Sequence, residues 1–437
     1  MRTKKRKLSL DFRIFFRFAT SLVLIATGLC PADPADSGSG MRTKLIGMGS
    51  IEAGQVVQGE SQGGNVTLGH VWYQRSYMHL GFSAEISDRI DVTMVGEALV
   101  HCSWTQSKDF LDDDVLQYLF YAHDVEGSYC FGAKEKPLLR IGVGVFPFKY
   151  DPDVRNLGEY LYRTGTYPPI MSSEFDFPLA RLTGIKVSST PIEALNFNVL
   201  FTSEPQVLPL SDFGLSALGD YTVARALTIG VGVFFSRLFP VNDKYTTPKN
   251  PTNLAPINAQ NPDSIYYSFK GTKLMGRFSF DPKIFFPSDI FGPNDLKLYS
   301  EAAIIGLKNY PRFYDDLKRR VPVMVGFDVP TFKVMDVVAI EVERYTWNWP
   351  DSYTNSLFNG QVPQPDNVPG YDYKQNELKW SVYARKYLNR TFSVIGQVAY
   401  DHTRLESNAF IRFGAYFGDA MHKHGDWAWM LKTQFDF

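Results

Sequence analysis

The sequence predicts an all-β fold, a single transmembrane antiparallel up-and-down barrel of about sixteen strands, and three observations predict it. From residue 44 onward the chain breaks into segments of roughly ten residues in which apolar and polar side chains alternate, the period of an extended strand. After residue 40 there is no run of eighteen apolar residues, so a chain embedded in a bilayer would have to cross it with strands. The connections between segments alternate between tight turns and long polar stretches and keep that phase along the chain. A soluble sandwich shares the period but not the phased connections, and a propeller would show a blade-length repeat, which is absent.

The elements follow in order. Residues 1–32 read as an export signal: Arg2, Lys4, Lys5, Arg6 and Lys7 precede an apolar run from Phe18 to Leu29, too short to span a bilayer, and small residues follow. Cys30 would suit a lipid anchor, but Leu29 is bulky where that signal needs a small residue. "MRTK" occurs at residue 1 and again at residue 41, which leaves Met41 open as a second start. A linker over 33–43 leads into the barrel, 44–437.

Strands are expected at 44–56, 75–86, 90–104, 117–132, 137–147, 180–189, 195–203, 213–223, 227–238, 264–281, 295–307, 321–329, 334–349, 376–388, 392–406 and 425–437. Leu139, Ile141, Val143 and Val145 alternate with Arg140, Gly142, Gly144 and Phe146; Ile229, Val231, Val233 and Phe235 alternate with Gly230, Gly232, Phe234 and Ser236. Leu378, Trp380 and Val382 alternate with Lys379, Ser381 and Tyr383. Tight turns fall at 87–89, 224–225 and 389–391, and long connections at 148–179, 239–263, 350–375 and 407–424. The segment 282–294 is long for the tight-turn side. Trp104, Trp347, Trp349, Tyr400, Trp427 and Trp429 gather at strand ends, as aromatic girdles do at bilayer interfaces.

Composition excludes several classes. A net charge of -1 gives nucleic acid no support, and three cysteines cannot build a disulfide scaffold. G-x-S-x-G, H-E-x-x-H and a glycine-rich phosphate loop are all missing, so no catalytic residue and no cofactor are expected. His402 beside Asp401 leaves a barrel-wall hydrolase as a minor alternative, and His422 with His424 makes only a weak metal pair, so no metal site is assigned.

The export signal, the strand pattern over 44–437 and a last strand of alternating apolar residues ending in Phe435 and Phe437 resemble bacterial outer-membrane β-barrels of the porin-like class. That resemblance implies an outer-membrane address in a Gram-negative-type cell, contact with its lipid and lipopolysaccharide, and delivery to the barrel-assembly machinery through the terminal Phe. It implies a passive channel for small hydrophilic solutes, with homotrimer formation left open. A structural or adhesive barrel, binding a surface partner or polysaccharide through its loops, is the alternative.

If the apolar parity faces lipid, the other lines the lumen. It carries His79, Glu85, Glu97, His101, Arg140, Lys273, Arg277, Glu301, Asp328, Glu341, Glu343, Lys379, Arg385, Asp401, Lys432 and Asp436. Charges there would be ruinous in hydrocarbon but stay hydrated in a barrel this wide. Asp151 or Asp153 can cap a short helix through "VRNLGEYLYR", with Pro152 in its first turn. A connection as long as 148–178 should pack on something. In general porins the loop at this place enters the lumen. Asp153, Arg155, Glu159, Tyr162, Arg163, Glu174 and Asp176 are therefore the expected constriction residues.

Overall fold

The computed structural model describes residues 41–58, 70–104, 115–133, 136–163, 174–176, 179–203, 212–240, 270–286, 289–309, 314, 316–345, 377–400 and 427–437. Its strands are β1 (Arg42–Gln58), β2 (Val71–Ser87), β3 (Ile90–Trp104), β4 (Val115–Ala133), β5 (Lys136–Phe148), β6 (Glu174–Asp176), β7 (Leu179–Ile192), β8 (Leu195–Ser203) and β9 (Asp212–Val223). They continue as β10 (Leu227–Pro240), β11 (Gly271–Phe280), β12 (Leu298–Ile305), β13 (Val323–Asp328), β14 (Val337–Tyr345), β15 (Glu377–Tyr387), β16 (Phe392–Tyr400) and β17 (Trp427–Asp436). The signal segment, Asp401, His402, His422 and His424 lie outside the described residues.

Consecutive strands pair antiparallel around the whole sheet. β6 is a three-residue strand that pairs with the start of β7, while β5 and β7 pair directly behind it. Setting it aside leaves sixteen of the seventeen strands in the wall. β17 closes the ring on β1 over a register running from Met48↔Asp436 to Gln58↔Trp427. Closure leaves no unpaired edge and satisfies the main chain internally, the condition for backbone in hydrocarbon. Among the described residues no helix is long and apolar enough to cross a membrane.

The alternating faces separate as the period requires. Phe120, Met94, Ile229, Val231, Val325, Phe327, Ile340, Leu378 and Leu431 project outward and are exposed, an apolar band that lipid would cover. The opposite parity holds Glu97, Lys273, Arg277, Glu301, Asp328, Glu341, Glu343 and Lys379, all buried inside the ring. A two-sheet sandwich would bury the first set between its layers; here the sheet curls with that set outward. Aromatic pairs mark both rims. Trp72 meets Trp429 edge-on at 5.6 Å and Trp380 stacks on Tyr400 at 5.8 Å at the long-connection end. Phe291 stacks on Phe332 at 5.7 Å at the tight-turn end.

Strand limits differ from expectation chiefly at 295–307 and 334–349. The Asp295 carboxylate accepts from the Gly292 amide at 2.8 Å and the Thr331 hydroxyl at 3.0 Å, which folds 292–297 into a turn, so β12 starts only at Leu298. Phe332 and Lys333, at φ 53° and 66°, likewise turn the chain ahead of β14. The long segment on the tight-turn side opens with a short 3-10 turn, Pro282–Phe285, whose preceding Asp281 side chain accepts from the Lys283 amide.

Candidate functional site

The lumen is filled on one side by the described part of the connection after β5. Residues 149–163 fold inward, and the short helix expected there does not form. Gly158 (φ 88°) and Glu159 (φ 55°) break the helical path. The segment instead curls around the Glu159 carboxylate, which accepts from the amides of Asp151 at 2.8 Å and Tyr150 at 3.4 Å. Burial pushes the Glu159 carboxyl up to about 7 in spite of those two amides.

The amides that a helix would have satisfied internally are taken by acids of the wall. The Glu341 Oε2 atom accepts from Asn156 N at 2.7 Å and Leu157 N at 2.8 Å, and Oε1 accepts from Arg155 N and, at 2.9 Å, from the Tyr299 hydroxyl. Three successive main-chain N–H groups converging on one carboxylate form an anion nest, here filled by the protein's own side chain. Glu301 accepts from Glu159 N at 2.6 Å. Glu343 accepts from Gly158 N at 3.2 Å, the Tyr160 hydroxyl at 3.0 Å and Arg163 at 2.8 Å.

Basic wall residues complete the attachment. Lys273 donates to the Tyr160 and Arg163 carbonyls, both at 3.3 Å, and Arg277 bridges Asp220 at 2.7 Å and Asp151 at 3.1 Å. Asp153 accepts from Ser279 and Lys297, each at 2.7 Å. Burial opposes the ionisation of Asp153, yet Lys297 and these hydrogen bonds together hold its carboxyl below the ordinary range. Beneath the polar contacts lies an apolar core: Val154, Leu157, Tyr160, Leu161 and Tyr162 pack with Phe146, Leu182, Leu200, Leu218, Phe234, Met275 and Met324.

This core was not foreseen. Its wall members stand on the parity assigned to water, and an apolar run on that parity was the available sign: Leu218, Phe234, Met275 and Met324 all break the polar-in rule. Tyr162 belongs to this core, at 5.5 Å from the Phe148 ring and 5.6 Å from Phe234. Asp153, Glu159 and Arg163 face wall or segment partners, and of the expected constriction residues with described side chains only Arg155 borders open space. For Glu174 and Asp176 only the main chain is described, in β6.

A cavity of about 270 Å³ remains between the segment and the wall formed by β1, β2 and β15–β17. Arg75, Lys149, Arg385 and Lys432 reach it alongside Arg155 and Glu52. Arg75 donates to Glu52 through Nε at 3.0 Å and also through Nη2. Arg385 donates to Ser393 at 3.1 Å, and Lys432 lies 5.2 Å from the centre of the Tyr77 ring. Elsewhere on the inner parity Glu85 is exposed at the tight-turn end, Arg140 sits 3.7 Å from Asp91, Lys379 is paired in register with Glu343, and Asp436 lies 3.9 Å from Arg385. His101 is opposite Arg75 in register.

A second cluster joins the buried His79 and Glu97 with the half-buried His123. The Glu97 Oε2 atom is 2.8 Å from His79 Nε2, 3.3 Å from His123 Nδ1 and 2.7 Å from Arg181, and the two imidazoles stack at 3.9 Å. The residue types suit a metal ion, but the Arg181 guanidinium already supplies the cation there. His123 escaped the sequence reading because the register slips between Val95 and Gly96, where β4 carries an extra residue that strict alternation does not expose.

No protein-family model matches the chain, and no curated protein matches it. Among solved structures it is similar to a triple mutant of the Rhodopseudomonas blastica porin, at 10% identity and a TM-score of 0.42, over 91% of this chain and all of that one. A double mutant of the same porin matches at 11% identity and a TM-score of 0.41 with the same coverage. At these values the likeness says nothing of what this barrel carries. On its own geometry, sixteen antiparallel strands closed with lipid-compatible side chains outward, the chain is a porin-like β-barrel at class level.

Proposed function

We propose that the protein is an outer-membrane channel through which small hydrophilic solutes diffuse passively, narrowed by the segment 149–163. The observation that carries this reading is the one-sided attachment of that segment. Its anchors reach Lys273, Arg277, Glu301, Glu341 and Glu343, while among the described residues a polar cavity stands between it and the opposite wall. Entry of the chain into the outer membrane through export and the terminal Phe435 and Phe437 belongs to the same reading, as do its contacts with lipopolysaccharide.

The adhesive or structural barrel remains the second reading, favoured by how much of the inner face the segment covers. Planar-bilayer recording of the purified protein separates them. Stable steps on the order of a nanosiemens support the channel; silent insertion of folded barrel overturns it.

A further inference from the structure

We propose that the open side of the lumen selects small anions, an inference that rests on the channel reading and adds its solute class. Among the described residues, six charged side chains border the cavity: Arg75, Lys149, Arg155, Arg385 and Lys432 are basic and Glu52 is acidic, an excess of four positive charges. Nearby carboxylates reduce this excess without cancelling it. Glu52, already counted, pairs with Arg75; Asp328 lies 3.7 Å from Arg155, and Asp436 lies 3.9 Å from Arg385 and is partly exposed, which brings the excess among these groups to two. Lys149 donates to the main-chain carbonyls of Pro152 and Val154 in the field of Glu159 and Asp151, and Lys432 has the Tyr77 ring beside it and Glu52 opposite it in register.

The acids of the lumen are turned elsewhere. Asp151, Asp153, Glu159, Glu301, Glu341 and Glu343 are the groups that hold the segment, and each is buried between it and the wall. These carboxylates lie behind the segment together with Lys273, Arg277 and Lys297, while the side chains that border the cavity in front of it are mainly basic. A sphere with the cavity's volume has a radius of roughly 4 Å, well inside the Debye length of about 10 Å at 0.1 M salt, so the field reaches its centre. Potentials of one sign between low-dielectric walls raise the local concentration of the opposite ion.

The test is the reversal potential of the full-length protein in a planar bilayer under a KCl gradient. The basic excess around the cavity predicts a chloride-to-potassium permeability ratio on the order of threefold or more at 0.1 M salt, falling as salt rises. Lys432→Glu, at a partly exposed position of the wall, is expected to bring that ratio to one or below while steps persist. Open steps with a ratio of one or a preference for potassium in the wild-type protein overturn the anion inference and leave the channel standing. Absence of steps from correctly folded barrel overturns both. The wild-type ratio decides the matter even if the variant fails to fold.

Discussion

Glu341→Gln is the substitution that most directly asks whether side-chain anchors hold the inserted segment. The wild-type carboxylate accepts four hydrogen bonds, from the amides of Arg155, Asn156 and Leu157 and from the Tyr299 hydroxyl. Glutamine is nearly isosteric but offers one acceptor oxygen and one donating NH2. Placed in its better orientation the oxygen keeps the Asn156 and Leu157 amides, and the NH2 then faces the Arg155 amide and the Tyr299 hydroxyl. Two charge-assisted bonds at about 1.5–3 kcal/mol each are lost, about 3–6 kcal/mol in all. The anchors to Asp151, Asp153 and Glu343 remain, so the segment loosens at its centre without leaving the lumen. Single-channel recording should show larger and noisier steps, and limited trypsin digestion should cut at Arg155 or Arg163, which the wild-type protein protects. A folded Glu341→Gln barrel with unchanged steps and unchanged resistance to trypsin would refute the anchoring argument.

Other consequences follow from the same contacts. Gly158→Ala puts a side chain at φ 88° with its Cβ 2.5 Å from a Glu301 oxygen, so a loss of about 2 kcal/mol or more is expected in denaturant titration; an unchanged midpoint would mean the turn can be rebuilt. Gly47 exchanges both main-chain hydrogen bonds with Phe437, and a Cβ there would fall 2.1 Å from the Phe437 ring. Gly47→Val should slow closure of the barrel and lower the temperature at which its folded band is lost on SDS gels. Equal gel stability would exclude a closing role for that ring. The segment's attachment should also depend on pH in two windows. The lowered Asp153 carboxyl contributes fully above its ordinary value and is lost as pH falls through the depressed one, whereas the raised Glu159 carboxyl favours docking when protonated. Its contribution is therefore present below the ordinary glutamate value and lost as pH rises toward about 7. Trypsin resistance of the segment should peak in mildly acid buffer, and a flat profile from strong acid to neutrality would contradict both assignments.

The amino-acid order by itself determined the number of barrel strands, their antiparallel up-and-down order and which side of each strand faces outward. Those properties are local: successive side chains leave opposite faces of a strand, so each strand declares its own sides whatever it pairs with. Tertiary structure alone decided what the inward charges do. Lys273, Arg277, Glu301, Glu341 and Glu343 sit on the expected face yet hold protein rather than water, because partners as far apart in sequence as Arg155 and Glu341 meet only once the ring has closed. The same closure gathers Arg75, Arg385 and Lys432 from β2, β15 and β17 onto one wall. No spacing along the chain records that meeting, because the diameter of the ring and the path of the segment within it set the distances across the lumen.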